Sequence, residues 1–142
     1  LYKTIYAILE NRENTIEVLD EVIYIAYTKM QKLKHNEFFN TWITRIAINE
    51  CRDFIKKNSK ITYISEYDES ASIKNTDDMQ IEKLNINQAL NKLNEEVRLI
   101  LVMKLYLEYT FDDISNTVSK PVSTVKTIYY NGMQKLRKLL SE

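Results

Sequence analysis

The chain has 142 residues, with 20 Lys/Arg balanced by 20 Asp/Glu, so its formal net charge is zero. It contains one Gly, one Pro, one Cys and one His. A lone Cys excludes an internal disulfide, Cys and His alone cannot build a zinc site, and so little Gly and Pro argues against sheets joined by tight turns.

Helices joined by polar connectors remain, and the expected fold class is all-α. No apolar run nears the roughly 18 residues that a membrane span needs, and no signal peptide is recognisable. With the single Cys, this leads us to expect a cytoplasmic protein. The first residue is Leu1 rather than Met, so the sequence is expected to be a piece of a longer chain.

Residues 1–10 read as a helix with Leu1, Ile5, Ile8 and Leu9 on one side. Over 15–33, Ile16, Leu19, Ile23, Ala26, Tyr27, Met30 and Leu33 recur at helical spacing, which predicts one apolar face. Glu17, Asp20, Glu21 and Lys29 lie opposite. The polar stretch from Lys34 to Asn40 is expected to be a loop. A third helix is expected from about Phe39 to Lys57, with Phe39, Ile43, Ala47, Cys51 and Phe54 or Ile55 inward. Its other stripe is Thr41, Arg45, Asn49, Arg52 and Lys56, a polar, basic surface suited to binding. Trp42 is expected to be half-buried and Cys51 to be a small buried hydrophobe.

Residues 58–82 lose the period and are rich in Ser, Asn, Asp and Glu. They are expected to be a linker, at least partly disordered, that divides the chain into two small helical units. Asp77 and Asp78 are read as linker acids, not metal ligands. The second unit starts near Ile81 with a short helix carrying Leu84, Ala89, Leu90 and Leu93. Asn94 is a fitting N-cap for a helix that sends Val97, Leu101 and Leu105 inward. Thr110 and Asp113 have capping-box spacing ahead of a short helix from about Phe111 to Val118. Ser119-Lys120-Pro121 makes a turn, and a last helix runs to about Leu140. Val122, Val125, Tyr129, Gly132, Leu136 and Leu139 face inward there.

A short capped helix, a turn and a longer helix form a helix-turn-helix, whose second helix enters the major groove. The outward residues Ser123, Thr124, Lys126, Thr127, Tyr130 and Asn131 supply the donors, acceptors and charge that phosphates and base edges require. The zero net charge hides a suitable distribution. Residues 34–60 carry six Lys/Arg against three acids, 61–82 carry one Lys against six acids, and 117–141 carry five Lys/Arg and no acid. Two basic segments flank an acidic one. On the residues alone, a helix-turn-helix transcription regulator and a helical interaction module stay open. No nucleophile–base set and no phosphate-cradling Gly loop points to an enzyme.

The stretch from Phe39 to Cys51 resembles the F-x-T-W-L-x-R-I-A-x-N segment of extracytoplasmic-function sigma factors of bacterial RNA polymerase. Pro121-Val122-Ser123-Thr124-Val125-Lys126-Thr127 resembles their P-x-G-T-V-K-S segment. Leu90 to Leu93, followed by Val97-Arg98 and Leu101, resembles the approach to their helix-turn-helix. The resemblance covers nearly the whole chain and lacks only the upstream half of the first helix. It implies a division into 1–57, which docks on core polymerase and melts the minus-ten element, a linker 58–82, and 83–142, which reads the minus-thirty-five element.

By position, the resemblance assigns Glu17, Asp20 and Glu21 to the polymerase. It assigns Leu33 and the loop Lys34, His35, Asn36 to Phe38 to capture of an unstacked base, with Arg45 and Asn49 beside that strand on the stripe that Thr41 and Arg52 extend. It assigns Lys126, Thr127, Tyr130 and Asn131, beside Ser123 and Thr124, to the upstream duplex. The implied partners are core RNA polymerase and promoter DNA, with room for an anti-sigma factor, and no cofactor or metal is called for. Ser123 stands where the family commonly has Gly, Ile128 and Asn131 where it often has Arg, and Leu33 where an aromatic is common.

Overall fold

A computed structural model of the chain describes residues 1–34, 36–62 and 85–141; at Asn36 and 59–62 it describes the backbone alone. Among the described residues the chain is all-α: α1 (Tyr2–Leu9), α2 (Arg12–Lys29), α3 (Phe39–Thr62), α4 (Ile86–Asn91), α5 (Glu95–Leu105), α6 (Phe111–Val118) and α7 (Val122–Ser141). Two 3-10 turns, Met30–Lys32 and Asn36–Phe38, lie between α2 and α3.

The N-terminal half is a three-helix unit in which α2 packs on both α1 and α3. Its second helix is rotated from the expected register. Ile16, Ile23, Tyr27 and Met30 are 43 to 77 % exposed, and the buried stripe is Thr15, Val18, Val22 and Ala26. Both stripes have helical spacing, and the one of smaller side chains wins the interior because it lets neighbouring helices approach closely. Thr15 tolerates burial because its hydroxyl donates to the Asn11 carbonyl at 2.6 Å. The helix also stops at Lys29, and the expected loop from Lys34 holds the second 3-10 turn and the start of α3.

Along α3 the expected inward stripe holds, with Ala47 and Cys51 fully buried and Ile48 joining them. Burial, and then the nearby Glu50 carboxylate, push the Cys51 thiol up to about 12, so it stays a neutral apolar filler. The helix continues to Thr62, through the first five residues of the expected linker; the remainder, 63–82, with Asp77 and Asp78, lies outside the described residues, as does Leu84.

Helix α5 is the hub. Arg98, Leu99, Ile100, Leu101, Val102 and Met103 are consecutive and all buried, so the helix has no free face between them. It contacts α1, α3, α6 and α7. One apolar core runs through Ile5 and Ile8 of α1, Val18 and Val22 of α2, Ala47 and Ile48 of α3, Leu99 and Met103 of α5, Ile114 of α6 and Val125 of α7. A second, smaller cluster holds Ala89, Leu90, Leu93, Leu101 and Leu136. Leu105, expected inward, is 38 % exposed at the end of α5.

Local chemistry fixes the ends of the C-terminal helices as the sequence predicts. The Asn94 side chain accepts from the Glu96 amide at 2.9 Å. Thr110 and Asp113 close a capping box, the Asp113 amide donating to Thr110 Oγ1 at 3.1 Å and the Thr110 amide to Asp113 Oδ2 at 3.3 Å. Ser119 ends α6 in the left-handed region at φ 56°. Pro121 directly precedes α7, and its carbonyl accepts the Val125 amide at 3.0 Å; it is the cap residue, one position before the expected first turn.

Gly132 sets how closely α7 approaches α5. A Cβ there would lie 2.7 Å from Val97 Cγ1 and 3.4 Å from Leu101 Cδ1. Val97 is β-branched and stiff, so it yields poorly. Gly132→Ala gains about 1 kcal/mol of helix propensity against roughly 1–3 kcal/mol of overpacking. We expect the variant to unfold at a lower denaturant midpoint and Val97→Ala to restore it in the double variant; simple additivity of the two changes contradicts the close contact.

Hydrogen bonds from Thr110, side chain first and backbone second, hold the exposed Asp113 carboxyl below its ordinary value of 3.8. A folded value below the unfolded one means that its contribution to stability is complete above about pH 3.8 and is lost as pH falls through the folded value. An NMR titration of Asp113 is expected to give a midpoint below 3.8, moving up in Thr110→Val. A midpoint indifferent to Thr110 contradicts the cap.

Candidate nucleic-acid and polymerase interfaces

Helices α6 and α7 meet at the Ser119-Lys120-Pro121 turn. The Lys120 ammonium pairs with Glu96 at the start of α5, which ties the turn to the hub. The inward side of α7 is used up by Val125, Gly132 and Leu136. All six outward candidates, Ser123, Thr124, Lys126, Thr127, Tyr130 and Asn131, are exposed on one helix.

Three of them have local partners. Thr127 Oγ1 donates to the Ser123 carbonyl at 3.0 Å, which leaves its lone pairs outward. Lys126 Nζ lies 5.6 Å from the Phe111 ring centroid, and Lys104 Nζ 4.3 Å from the same ring. Phe111, Tyr129 and Tyr130 form an aromatic cluster with centroids 5.1–6.3 Å apart. Tyr130 is therefore braced along one edge while 58 % of it stays exposed. The cluster and Lys104 escaped the sequence reading, although Phe111 at the start of α6 and the Tyr129-Tyr130 pair were visible. Ile128, where the resemblance led to an expectation of Arg, packs on the core.

The basic stripe of α3 is placed as expected: Thr41, Arg45, Asn49 and Lys56 are exposed and Arg52 is half-buried. Phe39 and Trp42 pack with ring centroids 5.9 Å apart, and Trp42 is half-buried. Each nitrogen of the Arg52 guanidinium has a partner. Its Nε and Nη2 reach Asp53 Oδ1 at 3.1 and 2.8 Å, and its Nη1 donates to the Thr117 carbonyl of α6 at 2.7 Å. Beside Arg45, the hydroxyl of Tyr109 is buried. Burial pushes that phenol up, and the Arg45 guanidinium works against the shift.

At the start of α3, Leu33 is half-buried, Lys34 is exposed and Phe38 is 57 % exposed. The backbone of Asn36 lies in the same 3-10 turn as Phe38; His35 lies outside the described residues. On α2, Glu17, Asp20 and Glu21 are exposed. They share the outer surface with Ile16, Ile23, Tyr24 and Tyr27, so the acidic face is also an apolar one. Glu50 of α3 adds to it: burial first, then Asp53 and Glu21, raise its carboxyl.

The largest departure from the sequence reading is Arg98. It is 5 % exposed. Its Nε donates to the Ile8 carbonyl at 2.8 Å and its Nη2 to the Leu9 carbonyl at 3.5 Å, both at the C-terminus of α1. Its Nη1 donates to the Asn91 and Leu93 carbonyls at 3.2 Å. Burial lowers its pKa, opposed by Glu95 and Glu10. Glu10, left-handed at φ 51°, is raised by the same burial and is only partly relieved by Arg98. A charge inside an apolar run was the one signal available in the sequence.

Among the described residues no group of three or more His, Cys, Asp or Glu could hold a metal ion, and no helix is long and apolar enough to cross a membrane. The chain matches the family model Sigma-70 region 2 over residues 1–61 and Sigma-70, region 4 over residues 83–136. It is 27 % identical to the ECF RNA polymerase sigma factor SigW of Bacillus subtilis, over 100 % of this chain and 83 % of SigW. It is 19 % identical to the RNA polymerase sigma factor SigV of the same organism, over 96 % of this chain and 81 % of SigV. Its fold is similar to the sigma factor RpoE of Bartonella quintana, solved in complex with the anti-sigma factor NepR, with a TM-score of 0.67 at 15 % identity, over 99 % of this chain and 89 % of RpoE. A region 2 followed by a region 4, in a chain that aligns along its whole length with such relatives, belongs to the sigma-70 family: the protein is a sigma factor of the extracytoplasmic-function type, acting in transcription initiation.

Proposed function

We propose that the chain works as a two-site promoter reader on core RNA polymerase, with residues 1–57 docking and melting, 58–82 linking and 83–142 reading the upstream element. The observation that carries the division is the pairing of an exposed basic stripe on α3 with an exposed polar face on α7. Each suits a different form of DNA. Glu17, Asp20 and Glu21, with the apolar residues between them, take the polymerase. Leu33 to Phe38, with Thr41, Arg45, Asn49 and Arg52, take the unstacked minus-ten strand. Trapping a base outside the duplex offsets a few kcal/mol of unstacking, and aromatic faces with basic side chains supply about 1–3 kcal/mol per stacked base. The chain contributes no catalytic chemistry and takes no cofactor. Its place is the cytoplasm with the polymerase and promoter DNA, and an anti-sigma factor is a further partner of the kind that RpoE has.

On α7, Lys126 is a point charge suited to phosphate, whereas Asn131 can pair bidentately with adenine. Phosphate contacts position and base contacts specify, so the two should fail differently. The test is transcription in vitro by core polymerase supplied with the chain, over templates with a randomised upstream element at two salt concentrations. Lys126→Ala should weaken all templates alike and lower the salt slope by about one. Asn131→Ala should cost roughly 1–3 kcal/mol on the preferred template and relax one base position. Transcription that needs the chain yet ignores both substitutions removes α7 as the reader; no chain-dependent transcript removes the whole proposal.

A further inference from the structure

Phe111 has no part in the upstream reading assigned to α7, yet three helices converge on its ring. It is the first residue of α6, and the capping box of Thr110 and Asp113 fixes the backbone on which it stands. Lys104 Nζ of α5 lies 4.3 Å from the ring centroid and Lys126 Nζ of α7 lies 5.6 Å from it. Tyr129 meets the ring edge-on at 5.4 Å, and Tyr130 is tilted against it at 6.3 Å.

Both lysines have this ring in place of an acid. Among the described residues the ion pairs are Arg52 with Asp53 and Lys120 with Glu96. The two ammonium groups are not held alike. Lys104 is half-buried and also donates to the Tyr109 carbonyl at 3.2 Å, so it braces the ring from behind. Lys126 is exposed and sits near the outer limit, about 6 Å, at which a ring face attracts a cation. It is steered by the ring, and it keeps donors for an anion on its outer side. An exposed lysine otherwise surrenders several free rotors when it grips a phosphate. A ring that restrains it beforehand reduces that loss. Tyr130 is ordered in the same way: it lies 5.1 Å from Tyr129 and against Phe111, while 58 % of it stays exposed.

We propose that Phe111 is a positioning residue for the upstream duplex. Its ring seats Lys126 for a phosphate and Tyr130 for the groove beside it, and Lys104 holds the ring in place from α5. This rests on the assignment of α7 to the upstream element and adds the device that sets its contact geometry. The register of α7 on DNA is thus set partly from α5 and α6, by side chains that touch no DNA.

The test compares Phe111→Leu, which keeps apolar bulk and removes the ring, with Phe111→Tyr, which keeps the ring. In NMR spectra of the full chain, the side-chain methylene protons of Lys104 and Lys126 should be shifted upfield by the ring in the wild type and in Phe111→Tyr. Both sets should return to ordinary lysine positions in Phe111→Leu. With the chain assembled on core polymerase, affinity for a fluorescent promoter duplex should fall about fivefold in Phe111→Leu and stay at the wild-type value in Phe111→Tyr. A residue that acts only through Lys126 and Tyr130 has no effect once they are gone. Adding Phe111→Leu to Lys126→Ala/Tyr130→Ala should therefore change nothing further.

Wild-type Lys126 protons at their ordinary position overturn the proposal without any variant. So does Phe111→Leu with wild-type promoter affinity, or a loss of the same size in the Lys126→Ala/Tyr130→Ala background. If Phe111→Leu loses helix content, Phe111→Met replaces it. Lys126→Ala/Tyr130→Ala without Phe111→Leu reads the underlying assignment separately. Unchanged promoter affinity there removes α7 as the reader and the proposal with it; weakened affinity beside an indifferent Phe111→Leu removes the proposal alone.

Discussion

A guanidinium removed from water must be surrounded by acceptors, and the arrangement of this molecule turns on how Arg98 meets that need. Four main-chain carbonyls serve it: two at the end of α1, one at the end of α4 and one in the turn that follows α4. The end of a helix is where backbone carbonyls lack partners and where the helix dipole is negative. Arg98 thus satisfies α1 at the same time as α1 satisfies Arg98. Replacing Arg98 leaves those carbonyls without their donor, which is more damaging than losing a surface ion pair. Apolar packing acts in the same place. Ile5 and Ile8 are fully buried, and each contributes about 1.5–3 kcal/mol by leaving water.

Two surfaces remain outside this seam between α1 and α5, and they are the ones proposed to meet the polymerase and the upstream duplex. The outer face of α2 mixes acids with large apolar side chains, a combination that a solvated helix does not need and an interface does. The outer face of α7 is polar, carries no acid, and is braced from behind by Phe111 and Tyr129. The α3 stripe is different, because Arg45 and Arg52 lie against the C-terminal half. Of the three proposed interfaces, those on α2 and α7 are exposed, and the one on α3 lies partly against the C-terminal half.

How far the sequence could be read depended on the range of the interaction involved. Caps are local, so Asn94, Thr110 and Asp113 were legible, and with them the ends of α5 and α6. The face of α7 was legible because one stripe is apolar and the other polar, with no ambiguity between them. On α2 two stripes compete at the same spacing, and large side chains drew the reading to Ile16, Ile23 and Tyr27. Burial went instead to Thr15, Val18, Val22 and Ala26, because close helix packing favours small residues, a preference set by neighbours and invisible in one helix. The seam could not be read at all. Arg98 and Ile8 are 90 residues apart, and no periodicity connects them. Loss of the apolar period and a polar composition suggested a break after Lys57, yet α3 continues to Thr62, since Asn58 to Thr62 lack the Pro or Gly that would stop a helix.

The central claim is that the two halves form one cooperative structure through α5. Native-state hydrogen exchange under increasing denaturant tests it most directly, because it assigns an opening free energy to each amide. The amides of Ile8 in α1, Ile48 in α3 and Leu101 in α5 should converge on one shared opening with the same denaturant dependence. If α5 and α7 open together at a free energy distinct from that of α1 and α3, the halves fold separately and the seam does not hold them.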